Sequence, residues 1–253
     1  WLQAISAFPN CASGAPQFGY ALCQKKIMPQ QMQNLDLSHW LLAYCGAEKN
    51  QLSVLEGFSK KFAPYGFRYD RLVPCYGLAE ATVGVSGLPL RDEMTVLRCD
   101  KNRMREGVIV LSDQDDCMDI IGVGQWIQDH DLIIVNTENY EKCDDLTLGE
   151  IWLHGASVCL GYWNNPLSSS IHFQAYTQSG EGPYLRTGDL GFIYQSELFV
   201  CERIKDLIII RGRNYHPINI EYAVSRCDPN IRLGSVCALA HTHNDEERLV
   251  LLV

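Results

Sequence analysis

The sequence predicts an α/β chain in three stretches: a parallel α/β sheet, a mainly antiparallel β subdomain, and the start of a small α+β unit. Three observations carry this. Residues 1–85 alternate helical and strand-like segments, as a parallel α/β sheet requires. From about Val96 to Phe199 short β-rich segments follow one another between polar turns. Near Lys205 a new aliphatic strand, a basic turn and a helix follow in close order. With 253 residues, 47% of them hydrophobic, there is apolar area for a substantial core.

Taken in order, Trp40–Cys45 reads as a buried strand. Leu52, Leu55, Phe58 and Phe62 then recur at helical spacing, so Asn50–Phe62 reads as an amphipathic helix lying on a sheet. Arg71–Cys75 reads as the next strand. Both strands run into small-residue turns, Gly46-Ala47-Glu48 and Tyr76-Gly77-Leu78. Ligands of open α/β sheets sit at the carboxyl ends of the strands, so these turns are the first candidate site. In the β-rich stretch, Val108–Leu111, Leu132–Val135, Glu150–His154 and Leu198–Val200 read as strands, and Ser168–Ser170 and Gln178–Pro183 as loops. Asp206–Ile210 reads as a strand, Arg211–Asn214 as a basic turn and Ile218–Cys227 as a helix. The chain opens on Trp1 without Met and closes on the strand-like run Leu249–Val253, so it reads as a piece of a longer protein.

A net charge of -9, from 30 acidic against 21 basic residues, argues against nucleic acid or an anionic membrane as the main partner. The 11 cysteines include no CxxC pair and are odd in number, which favours reduced thiols in a cytoplasmic protein over disulfides or zinc. No apolar run reaches the roughly 18 residues of a spanning helix. There is no GxxxxGK[ST] loop, GxSxG turn or HExxH, and Gly122-Val123-Gly124 lacks the third glycine of a dinucleotide fingerprint.

Three segments carry chemistry. Pro74–Thr82 places an aromatic, a glycine and a carboxylate at the end of a buried strand, where Tyr76 can stack on a flat base and Glu80 can hold Mg²⁺ between phosphates. Tyr184–Asp189 places Asp189 after a tight turn, where its carboxylate can accept from both hydroxyls of a ribose. Glu202–Asn214 gathers Arg203, Lys205, Arg211 and Arg213 around an apolar strand, suited to a polyanionic nucleotide. Taken singly, Tyr76 reads as a core aromatic, Glu80 as a helix N-terminal charge, Asp189 as a turn residue and Lys205 as a solvated lysine. Their order and spacing together favour the site.

Together these segments resemble the ANL superfamily of adenylate-forming enzymes, and within it the fatty acyl-AMP ligases. The resemblance rests on Ala12–Tyr20, Gly46-Ala47-Glu48, Tyr76–Thr82, Gly149–Trp163, Tyr184–Phe192 and Lys205–Glu221, essentially the whole chain. It implies the ANL fold, with residues 1–204 the C-terminal part of the large domain and 205–253 the hinge and start of the small one. Within the first, 1–90 would be the sheet portion, 91–118 a subgroup-specific insertion and 119–204 the β subdomain. It implies ATP and Mg²⁺, a fatty acid, and transfer of the acyl group to an acyl carrier protein or polyketide-synthase carrier domain. In the subgroup the insertion is thought to hinder the domain rotation that coenzyme A transfer needs.

Residue by residue, Gly46, Ala47 and Glu48 would flank adenine and Tyr76, next to Gly77, would stack on it. Glu80 would ligate Mg²⁺, and Asp189 would bind the ribose hydroxyls. Arg203 would reach the ribose or phosphate, and Lys205 would be the catalytic hinge. Phe18 and Tyr20 would line the acyl side. Ala79 stands where most of the superfamily has Thr, leaving a phosphate contact to Thr82 or backbone, and Ile209 stands where many relatives are polar. A phosphate loop before Trp1 and a catalytic lysine after Val253 are expected of the family, so the chain alone is expected not to complete the reaction. An ordinary fatty acyl-CoA synthetase and a non-catalytic adenylation-like binding module remain as alternatives.

Overall fold

The computed structural model describes residues 1–88, 93–114, 116–210, 213–215, 217–228, 230–231, 235–243 and 246–253. Helix α1 (Leu2–Ala7) leads into strand β1 (Cys11–Ala15), helix α2 (Gln17–Lys26), strand β2 (Trp40–Cys45), helix α3 (Leu52–Phe62) and strand β3 (Leu72–Pro74). The three strands form a parallel sheet in the order β1-β2-β3, as the alternating pattern predicts.

Helix α3 buries Val54, Leu55, Phe58 and Phe62, one face of a 3.6-residue period. Phe58 sits edge-on to Tyr20 and Trp40, with ring centroids 5.0 and 6.2 Å away. Each such ring contributes about 1.5–3 kcal/mol by leaving water. Lys61, in the last turn of α3, donates to the carbonyls of Gln24 and Ile27, both at 2.6 Å, and so ties α3 to the C-terminal end of α2.

Tyr76-Gly77-Leu78 is a short strand rather than the expected turn. This strand, β4 (Tyr76–Leu78), pairs antiparallel with β5 (Val83–Leu88). The reason is Gly77: a Cβ there would lie 1.6 Å from the Val83 carbonyl oxygen, so only glycine lets the two backbones meet. Within the expected insertion, residues 91, 92 and 115 lie outside the described residues. The segment gives strand β6 (Val96–Asp100), helix α4 (Lys101–Arg105) and strand β7 (Cys117–Ile121). Asp100 caps α4, accepting from the amides of Asn102 and Arg103 at 2.8 and 3.0 Å. Val108–Leu111 is not the strand expected of it, making only isolated bridges from Val108 to Thr147 and from Leu111 to Cys99. Strand β8 (Gln125–Trp126) pairs with β5.

Strands β9 (His130–Val135) and β10 (Gly149–Gly155) come next. Helix α5 (Pro166–Phe173) replaces the loop expected at Ser168–Ser170, because Asn165 caps it through the Ser168 amide at 3.1 Å and Pro166 starts it. Strands β11 (Leu185–Tyr194) and β12 (Glu197–Arg203) complete an antiparallel sheet in the order β12-β11-β10-β9.

The strand expected at Asp206–Ile210 begins later. Ile204–Asp206 is one 3₁₀ turn, and β13 (Ile208–Ile210) pairs with β14 (Arg213–Tyr215). Of the expected basic turn, Arg211 and Gly212 lie outside the described residues, and Arg213 opens β14. Helix α6 (Pro217–Cys227) begins on a proline, and β15 (Cys237–His243) pairs with β16 (Glu246–Leu252), which takes up most of the apolar run near Val253. Among the described residues, no helix is long and apolar enough to cross a membrane, and all eleven cysteines are free thiols.

Candidate nucleotide site

A cavity of about 650 Å³ opens at the carboxyl ends of β2 and β3. Of the sequence-predicted residues, Ala47, Glu48, Tyr76, Gly77, Asp189, Arg203 and Lys205 line it. Gly46, Glu80, Thr82, Phe18 and Tyr20 do not.

Asp189 is the centre of this arrangement. It lies inside β11 and not after a tight turn, but the strand is irregular there. Trp152 faces Arg186 and Glu150 faces Leu190, so Thr187, Gly188 and Asp189 together oppose the single residue Ile151. Gly188 takes the left-handed conformation, φ 72°, that such a bulge needs. Buried Glu150 holds the bulge: its Oε1 accepts from the Gly188 amide at 3.1 Å, and its Oε2 from Arg186 Nε at 3.0 Å and Trp152 Nε1 at 2.9 Å. Thr187 adds a hydroxyl that donates to the Ile151 carbonyl at 2.7 Å and accepts from the Asp189 amide at 3.1 Å.

Asp189 so projected is 4% exposed. Its Oδ2 accepts from the Tyr76 hydroxyl at 2.6 Å, and its Oδ1 from Arg203 Nε at 3.0 Å, across the β11–β12 register that pairs Asp189 with Arg203. Burial pushes the Asp189 carboxyl above its ordinary range, against the opposing pull of Tyr76 and Arg203. Burial and the adjacent carboxylate push the Tyr76 phenol well above its ordinary value. Each carboxylate oxygen has a second lone pair, so Asp189, which lines the cavity, retains acceptor capacity.

The turn after β2 is tied down on three sides. Gly46 has no room for a side chain, since a Cβ would stand 2.8 Å from the Cys75 carbonyl oxygen and sulfur. Asn50 donates to the Cys45 carbonyl at 3.1 Å and accepts from the Cys45 thiol at 2.7 Å. Glu48 accepts from the Phe18 amide at 2.6 Å, and Gln17 from the Gln51 amide. Phe18 thus acts through its backbone, while its ring is 64% exposed. Tyr20 is a core residue: fully buried, stacked on Trp40 at 6.4 Å, its hydroxyl donating to the Tyr44 carbonyl at 2.7 Å.

Glu80 and Thr82 stand apart, on the 3₁₀ turn after β4. Glu80 Oε1 accepts from the Tyr162 hydroxyl at 2.8 Å, and the Cys159 amide donates to the Glu80 carbonyl at 2.8 Å. Burial, and then Glu80, pushes the Tyr162 phenol up to about 12. Thr82 donates to the Ser157 carbonyl at 2.6 Å, which holds two successive residues, Thr82 and Val83, at positive φ. No group of three or more metal-ligating side chains occurs among the described residues. Glu80 Oε2, with no partner among the described residues, leaves a single-carboxylate site of the kind Mg²⁺ uses when phosphates and waters complete its shell.

Sequence reasoning did not single out Lys49, Asn50, Glu150 or Tyr162. Glu150 and Tyr162 fall inside the quoted Gly149–Trp163 segment, but nothing local marks which side chains of that segment turn inward.

Comparison with known proteins agrees with this geometry. The AMP-binding enzyme family matches residues 1–163. The medium-chain-fatty-acid–[acyl-carrier-protein] ligase JamA of Moorena producens is 39% identical over the whole chain, which spans 43% of that protein. A structure from work on fatty acyl-adenylate ligases of E. coli and L. pneumophila superposes with a TM-score of 0.87 at 33% identity, over 99% of this chain and 44% of that one. A fatty acyl-adenylate ligase from L. pneumophila in complex with acyl adenylate and pyrophosphate gives 0.79 at 35% identity, over 99% of this chain and 44% of that one. The chain therefore spans less than half the length of these relatives, and with that match and those superpositions it belongs to the AMP-binding enzyme family and has the fold of adenylate-forming ANL enzymes.

Proposed function

We propose that the chain supplies the nucleotide-binding part of an enzyme that joins a fatty acid to AMP, releasing pyrophosphate from ATP. The enzyme then passes the acyl group to the phosphopantetheine thiol of an acyl carrier protein or polyketide-synthase carrier domain. The observation that carries this reading is Asp189, buried at the cavity wall between Tyr76 and Arg203 with acceptor capacity left over.

In this reading the ring of Tyr76 stacks on adenine while Gly46, Ala47 and Glu48 border its edge. Asp189 accepts from the two ribose hydroxyls, and Arg203, already aligned by Asp189, places a cation toward the ribose or α-phosphate. Glu80 would hold Mg²⁺, which when bound neutralises phosphate charge, and the Tyr162 hydroxyl orients the Glu80 carboxylate from behind. Thr82 is committed to the Ser157 carbonyl, so a phosphate contact falls to neighbouring backbone amides. Attack of the fatty carboxylate on the α-phosphate is a substitution governed by positioning and charge neutralisation. Residues 205–253 would begin the small domain, turning about Lys205. Residues 91–118 would restrain that turn: Met94 and Val96 pack against the core of the parallel sheet.

The test is mass-spectrometric product analysis of the full-length gene product with Mg-ATP, a fatty-acid panel and coenzyme A. Accumulated acyl-AMP with little acyl-CoA is the expected result. Acyl-CoA as the main product would overturn the acceptor assignment, and no acylated product would leave only a nucleotide-binding module.

A further inference from the structure

Lys49 has no place in the scheme above. It follows Glu48 in the turn after β2 and lines the same cavity as Tyr76, Asp189 and Arg203. Among the described residues its ammonium has no hydrogen-bond or ion-pair partner, although an ammonium carries three donors. The carboxylates nearest it in sequence and function are engaged elsewhere, Glu48 with the Phe18 amide and Asp189 with Tyr76 and Arg203. Glu221, which also lines the cavity, accepts from the Ala238 amide at 3.0 Å, and among the described residues neither Glu202 nor Asp206 forms an ion pair with Lys49.

The surroundings cannot stand in for a partner. Ile120 and Ile121 are apolar, and Cys201 is a buried thiol whose pKa burial pushes up to about 12, so it stays neutral. Burial correspondingly pushes the Lys49 ammonium below the ordinary lysine value. Lys49 is half-buried, so water partly hydrates its ammonium, and among the described residues its three donors remain open to an acceptor that enters the cavity.

We propose that Lys49 is a ligand-contacting residue of the cleft that donates to an acceptor on a bound adenosine 5′-phosphate. This rests on the adenine-nucleotide reading of the site and adds to it a contact with either the nucleoside or the phosphate.

Calorimetric titration of the full-length gene product with AMP and, separately, with adenosine tests it, in the unsubstituted protein and in Lys49→Met, which keeps the stem and removes the donors. The expected result is about tenfold weaker AMP binding by a variant that melts as the original does. An equal loss for adenosine places the acceptor on the nucleoside, and a loss confined to AMP places it on the phosphate. AMP affinity unchanged in a folded Lys49→Met protein overturns the inference while leaving the nucleotide reading intact. No AMP binding by the unsubstituted full-length protein overturns both. Lys49→Gln repeats the test should the methionine variant not fold.

Discussion

At the scale of the residue, Asp189, proposed to bind the ribose, is a carboxylate that burial does not favour. Its folded pKa is raised, so the protein binds a proton more tightly there when folded than when unfolded. The linkage sign follows: any stability from this group is complete below the unfolded aspartate value, about 3.9, and is lost as pH rises through the folded pKa. At neutral pH the ionised carboxylate is a cost that Tyr76 and Arg203 only partly offset. Asp189→Asn is therefore expected to abolish measurable AMP binding while leaving the neutral-pH melting temperature unchanged or higher. Arg203, 53% exposed at its side chain, loses little when left to water. A melting-temperature series in pH checks this: a variant markedly less stable than the original at pH 7 refutes it.

At the scale of the element, the site depends on how strands meet. Strand β4 carries Tyr76 into the cavity only because β5 lies against Gly77. Gly77→Ala drives a methyl group into the Val83 carbonyl, and the backbones must part. Its cost is expected to reach at least about 3 kcal/mol, with loss of nucleotide binding, read from denaturant midpoints and titration. Strand β11 depends likewise on its bulge, which Glu150 holds through three donors. The bulge holds two extra residues, an even number, so a strand without it would keep Asp189 on the same face but slide it by two positions along β10.

At the scale of the whole molecule, the core under the parallel sheet and the cleft at its strand ends meet at Ile121, which belongs to the one and lines the other. Phe58 is fully buried against Tyr20, Trp40, Phe62 and Phe67, none of which lines the cleft. Phe58→Ala is expected to cost about 3–5 kcal/mol in denaturant unfolding, with AMP affinity in the surviving folded protein within twofold of the original. A parallel fall in affinity would show that the core and the turn after β2 are coupled. The chain carries a net charge of -9, yet Lys49, Arg203 and Lys205 bring cations to one cavity. Local arrangement, and not overall charge, sets the affinity for an anion.

The sequence by itself determined the parallel sheet, its covering helix and the order of the site segments, because these are written in local periodicity. Trp40–Cys45 and the spacing from Leu52 to Phe62 needed no partner to be read. The motifs likewise identified Tyr76, Asp189 and Arg203 as one set. Only the tertiary structure decided that Tyr76 and Asp189, 113 residues apart, share a hydrogen bond. It also decided that Tyr20 belongs to the core, that Ser168–Ser170 is helical, and that Lys49 has no partner among the described residues. Those outcomes depend on register, on bulges and on which atoms fill the space around a side chain. They are set by long-range packing, which a one-dimensional pattern does not encode.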